Sequence, residues 1–219
     1  LFAIRFFYAF SLIRNKKKIE IKEHKELKPD FTSDTLNLTK EIKKIDQNGF
    51  SNTYSLKKDY LEKLKNEILN NKKNLDIKKD YKIDLFKRED ENQLQYIDRL
   101  KSNNISRLTG VLNLENSYDL KKIVLSNEIL ELVSNYIGSK TISINSTYFI
   151  SLPLETDKYE KYENAQFFHW DNDFTKFLKL YIYLTDVDDL SGPHAYVVGS
   201  HKNKKLEHSL TRLYSDKDI

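Results

Sequence analysis

Apolar positions recur at helical spacing as far as Ile137 and then shift to the period of strands. Leu56, Tyr60, Leu61, Leu64, Ile68 and Leu69 fall three or four residues apart, with Ser55 in place to cap a helix over 56–70. Leu94, Ile97 and Leu100 mark a shorter helix over Asn92–Lys101. Leu120–Ile137 carries apolar residues throughout and reads as one helix or two, with Gly138 where a left-handed residue closes a helix. Thr141–Leu152 then fills with β-branched and aromatic residues and predicts a strand stopped by Pro153. After a charged loop at Glu155–Asn164, Ala165–Asp171 predicts a short strand and Phe177–Val187 a longer one. A turn at Asp188–Pro193 leads to a third at His194–Val198.

The rest of the chain carries weaker signals. Asp46–Phe50 contains Asn-Gly and predicts a turn. Lys16–Lys44 is lysine-rich with interleaved acids, a solvated loop leading into a short helix. Lys72–Glu91 is charged without a clear period, and Ser106–Leu114 reads as a connection. Leu1–Ile13 is apolar and aromatic, followed by Arg14-Asn15-Lys16-Lys17-Lys18. It is too short to span a bilayer, and its basic residues follow the apolar run where a signal peptide would have them first. It reads as an amphipathic helix that packs on the domain or rests on a membrane surface, packing being the commoner fate of such a face.

Helices first and strands later point to an α+β domain, a β core with helices against one side. There is no repeat and no Gly/Ser linker, so the expected division is a basic, amphipathic extension over 1–44 and one domain over 45–219. Composition sharpens this only in places. The 219 residues include no cysteine, which excludes disulfides, thiolate metal sites and cysteine nucleophiles and fits a reducing, cytoplasmic setting. The net charge of +4 is too small a surplus to argue for nucleic acid. There is no methionine even at position 1, so Leu1-Phe2-Ala3 reads as a trimmed amino end.

The chemistry gathers in Ala165–Lys202, which holds three of the five histidines and the only tryptophan. His169-Trp170-Asp171 sets an imidazole and a carboxylate two residues apart, on one face of a strand. Two such groups are the first part of a 2-His-1-carboxylate iron site. The bare tripeptide is equally a surface pair or a structural hydrogen bond. Lys179, Tyr181 and Tyr183 share a face of the next strand by the same period. That face either lines a pocket or meets solvent, while Leu178, Leu180, Ile182 and Leu184 form the core. Neither a G-x-S-x-G elbow nor an H-E-x-x-H helix is present.

Wider blocks carry a resemblance. Ala165-Gln166 precedes His169-X-Asp171. Leu178-Lys179-Leu180-Tyr181-Ile182-Tyr183-Leu184-Thr185-Asp186-Val187 follows, then Ser191-Gly192-Pro193 and Val198-Gly199-Ser200-His201-Lys202, with Asn48-Gly49-Phe50 as an opening block. In order and spacing they resemble the phytanoyl-CoA dioxygenase family of iron(II)/2-oxoglutarate-dependent oxygenases. The resemblance implies a double-stranded β-helix, a jelly-roll with helices packed on one sheet. It implies that His169 and Asp171 are iron ligands, that 2-oxoglutarate and dioxygen are cosubstrates, and that a small organic molecule is hydroxylated. Tyr181 falls where family members set an aromatic residue beside 2-oxoglutarate. Tyr183, Lys179 and Tyr148 (or Thr147) are further expected contacts. The family's distal histidine and its cosubstrate arginine are expected beyond Ile219, which makes the jelly-roll incomplete at that end. The alternative is a jelly-roll binding module without catalysis.

Overall fold

A computed structural model describes residues 3–11, 37–52, 55–70, 87–111, 117–138, 143–152, 154, 161, 166–171, 176–203, 205 and 213–214. The elements run β1 (Ala3–Ser11), α1 (Leu38–Asn48), α2 (Lys58–Asn70), α3 (Gln93–Ser102), β2 (Arg107–Val111), α4 (Tyr118–Val124) and α5 (Asn127–Ile137). They continue with β3 (Ser143–Ser151), β4 (Phe168–His169), β5 (Phe177–Tyr183) and β6 (Leu213–Tyr214).

Three helices start or stop where local chemistry says they should, while α2 begins at Lys58, two residues after the start expected from Ser55. Asn92 caps α3 through a capping box: its side chain accepts from Gln95 N–H, and the Gln95 side chain accepts from Asn92 N–H. Ser126 separates α4 from α5, so the expected single-or-double helix over 120–137 is two. Its hydroxyl accepts from Ile129 N–H and donates to the Ile123 carbonyl. Gly138 closes α5 in the left-handed conformation that the sequence predicts.

The strands form a four-stranded sheet in the order β2-β3-β1-β5, every pair antiparallel, and a two-stranded sheet of β4 and β6. Cross-strand rows in the larger sheet sort its side chains. Tyr148 of β3 and Ile182 of β5 both sit opposite Phe6 of β1, while Thr147 and Tyr181 both sit opposite Phe7. Leu108, Tyr148, Ile150 and Ile182 are buried with Leu64, Leu100, Leu120, Ile123 and Val133 in one apolar core, so one face of this sheet is covered by helices. Lys179, Tyr181 and Tyr183 belong to the opposite face.

Several expectations are corrected. Leu1–Ile13 is not a helix over its described part: Ala3–Ser11 is a central strand, hydrogen-bonded to β3 on one side and β5 on the other. A continuous apolar run with no alternation is what a strand flanked on both sides allows, and periodicity cannot separate it from a buried helix. Part of the expected connection at Ser106–Leu114 is strand β2, paired with β3 and prolonged by Leu152 N–H donating to the Ser106 carbonyl at 2.8 Å. His194–Val198 forms no strand; the His194 N–H goes to the Tyr183 hydroxyl instead of to a ladder. The short strand at Ala165–Asp171 narrows to Phe168–His169, and the longer one ends at Tyr183. Among the described residues the two sheets do not close into a barrel, and no helix is long and apolar enough to cross a membrane.

Candidate functional site

His169 occupies the last position of β4, opposite Leu213 of β6, and Asp171 follows two residues on. His169 Nδ1 lies 2.8 Å from the Phe167 carbonyl. A carbonyl only accepts, so Nδ1 carries the proton and the imidazole is fixed in orientation. Its other nitrogen, Nε2, faces Asp171 Oδ1 at 3.6 Å. In a neutral imidazole that nitrogen is an acceptor, and so is the carboxylate oxygen. The two are favourably opposed only when a proton or another cation lies between them.

The second carboxylate oxygen, Asp171 Oδ2, accepts from Lys179 Nζ. Lys179 stands on the face of β5 turned away from the helices, so this ion pair brings the end of β4 against that face. Its Nζ also lies 5.4 Å from the centre of the Phe177 ring. Both partners are mostly covered: the Lys179 side chain is 14% exposed and that of Asp171 24%.

Tyr181 and Tyr183 on the same face hold the segment after the 3-10 turn Asp189–Ser191. The Tyr181 ring stacks on His194 with centres 4.5 Å apart and planes 27° apart. The Tyr183 hydroxyl accepts from the His194 N–H at 2.9 Å. On this face the tips of Lys179, Tyr181 and Tyr183 are engaged by other segments of the chain. Tyr148 is on the wrong side for a shared site. It is 2% exposed on the helix-covered face, and burial pushes its hydroxyl well above the ordinary tyrosine pKa. Thr147 shares the Tyr181 face, and its Oγ1 is buried without a hydrogen-bond partner.

His194 is not singled out by the sequence. Its place comes from Tyr181 and Tyr183, through a segment with no regular pattern, and no local signal marks it. Lys179 was legible as a member of the face but not as the counter-ion of Asp171.

A second assembly joins two of the blocks quoted above. The Gly199 N–H donates to the Asn48 carbonyl at 2.8 Å, His201 Nε2 lies 2.9 Å from the Asp46 carbonyl, and Lys202 Nζ lies 2.8 Å from Asp46 Oδ2. Lys202 holds the Asp46 carboxyl below its ordinary range. Phe50 and Tyr196 meet ring to ring, 5.6 Å between centres. The end of α1 and the 3-10 turn Ser200–Lys202 thus form one unit.

For metal binding, the donor set fits in part. An imidazole held by a backbone carbonyl, with its free nitrogen turned to a carboxylate, is the usual arrangement of a metal-binding histidine. No group of three or more potential ligands occurs among the described residues. Compared with protein-family models, curated proteins and solved structures, the chain matches none.

Proposed function

We propose that the protein is an iron(II)/2-oxoglutarate-dependent dioxygenase hydroxylating a small organic substrate, with His169 and Asp171 as two of the three iron ligands. The observation that carries this reading is the opposition of His169 Nε2 and Asp171 Oδ1 at 3.6 Å, with Nδ1 committed to the Phe167 carbonyl. Two acceptors so arranged make a seat for a cation. No third ligand joins them among the described residues, and this reading requires one from another part of the protein. The bound iron would supply the redox chemistry, in which one dioxygen oxidises 2-oxoglutarate to succinate and CO2 and leaves its second oxygen atom in the hydroxylated product.

The chain's own groups do the rest. The Phe167 carbonyl fixes the imidazole, and Lys179 holds Asp171 beside it. Tyr181 and Tyr183 hold the His194 segment against the β5 face, where the cosubstrate and substrate would enter. The joining of Asn48-Gly49-Phe50 to Gly199-Ser200-His201-Lys202 also supports the reading, since the family resemblance rests on both blocks. On this reading the two antiparallel sheets are parts of a double-stranded β-helix.

A second reading, a binding module of the same architecture without catalysis, is favoured by one observation: the Lys179 ammonium neutralises Asp171. Anaerobic titration of the intact protein with Fe(II) and 2-oxoglutarate separates the two. The oxygenase reading expects a visible charge-transfer band that Asp171→Ala abolishes. A protein that shows no band, or a band unchanged in that variant, is not this oxygenase.

A further inference from the structure

We propose that Lys179 is an internal competitor for the cation seat at Asp171, a positioning residue that holds the carboxylate in place and is displaced when a divalent cation arrives. This rests on the proposed metal-binding role of His169 and Asp171. The two oxygens of Asp171 are divided between two neighbours, Oδ1 facing His169 Nε2 at 3.6 Å and Oδ2 accepting from Lys179 Nζ. An ammonium on one oxygen lowers the electron density available at the other and adds a like charge beside any cation that binds there. The low exposure of both side chains limits the screening of that effect by water.

The pair is also built to open. Its partners come from different sheets, Asp171 from just after β4 and Lys179 from β5, so no local turn locks them together. The ammonium already lies 5.4 Å from the centre of the Phe177 ring while it is paired, so that contact can hold it when Asp171 is given up. In the metal-free protein the lysine would keep Asp171 from swinging to solvent, at the expense of cation affinity.

The test is the affinity of the intact protein for Mn(II), a divalent ion stable in air, measured by calorimetry. An opposite charge in contact with a carboxylate is worth about one to three decades in its affinity for a proton, and a divalent cation competes for the same electrons. Lys179→Met retains most of the apolar stem, and Lys179→Gln retains a neutral polar tip. Either is expected to bind Mn(II) about tenfold more tightly than the wild type, while Lys179→Arg keeps wild-type affinity. A merely structural lysine gives the opposite sign, since its loss loosens the site. Wild-type binding that is unchanged or weakened in both neutral variants overturns the competitor role and leaves the metal reading standing. Absence of Mn(II) binding in the wild type and all three variants overturns both.

Discussion

His201 donates a hydrogen bond from Nε2 to the backbone carbonyl of Asp46, 2.9 Å away and 155 residues earlier in the chain. The carbonyl belongs to the last turn of α1, whose free carbonyl groups favour a donor or a positive charge. Lys202 adds its ammonium to the Asp46 side chain, so consecutive residues of one 3-10 turn bind the backbone and the carboxylate of the same residue.

Gly49 is what lets these segments approach. Its φ of 89° is left-handed, and a Cβ there would lie 2.7 Å from His201 Nδ1 and closer still to the Tyr196 hydroxyl. Gly138 has a similar φ of 81° with nothing within 4 Å of its Cβ position. Gly138→Ala is therefore expected to cost only the left-handed penalty, about 1–2 kcal/mol. Gly49→Ala adds displacement of Tyr196 and His201 and is expected to destabilise by clearly more. Urea unfolding of the two variants checks this; equal losses would mean that the contacts at Gly49 carry no weight.

Glu91 and Arg99 predict an acid dependence. Arg99 Nε lies 2.7 Å from Glu91 Oε1 and its Nη2 lies 2.8 Å from Oε2, a two-pronged pair. The hydrogen bonds from Arg99 bring the Glu91 carboxyl down to about 2 from an ordinary 4.5. A lowered folded-state value means stability fully present above pH 4.5 and lost as pH falls through that value towards 2. The Arg99 and Glu91 side chains are 15% and 9% exposed, so water screens the pair only in part and the effect is about 1–3 kcal/mol. Glu91→Gln is expected to flatten this part of the stability–pH curve. A variant whose curve stays parallel to the wild type between pH 5 and pH 2 would contradict the assignment.

Ser126 carries two roles with one hydroxyl at the junction of α4 and α5, and it is fully buried. Ser126→Ala leaves the Ile129 N–H inside the protein without its cap. The expected loss is about 1–2 kcal/mol, measured by thermal or urea unfolding. Ser126→Asn, which offers a capping oxygen but more bulk, is expected to recover little of it, because the site has no room.

These caps explain which parts of the molecule can be read without coordinates. Gly138 closes its own helix through a bond spanning four residues, so residue type and position are enough; Asn92 and Ser126 act just as locally, but it is the structure that divides α4 from α5 at Ser126. The central position of β1 is different. Ala3–Ser11 finds its partners at Ser143–Ser151 and Phe177–Tyr183, and nothing within those nine residues says where the partners are. The candidate site is mixed in the same way. His169 and Asp171 are neighbours in sequence, and their shared face follows from the pleat. The Lys179 contact and the His194 stack depend on how distant segments close over β5, which no local pattern encodes.

Tyr148 and Tyr181 test that distinction directly. Sequence reasoning grouped them as contacts of one cosubstrate, yet they lie in adjacent cross-strand rows, opposite Phe6 and Phe7 of β1, and so on opposite faces of the sheet. Burial raises the pKa of Tyr148 above its ordinary 10, with Tyr96 adding to the shift. A raised folded-state value means that the neutral phenol contributes fully below pH 10 and that stability is lost as pH climbs beyond it. Tyr148→Phe cannot ionise, so it is expected to lose less stability than the wild type between pH 10 and pH 11.5, and to leave 2-oxoglutarate affinity unchanged. Under the oxygenase reading Tyr181→Phe weakens 2-oxoglutarate binding by a few-fold, the scale of one hydrogen bond of about 1 kcal/mol. Alkaline unfolding of Tyr148→Phe and anaerobic 2-oxoglutarate titrations of both variants give three readings. A change in cosubstrate affinity on Tyr148→Phe would contradict the register that sends the two tyrosines to opposite faces.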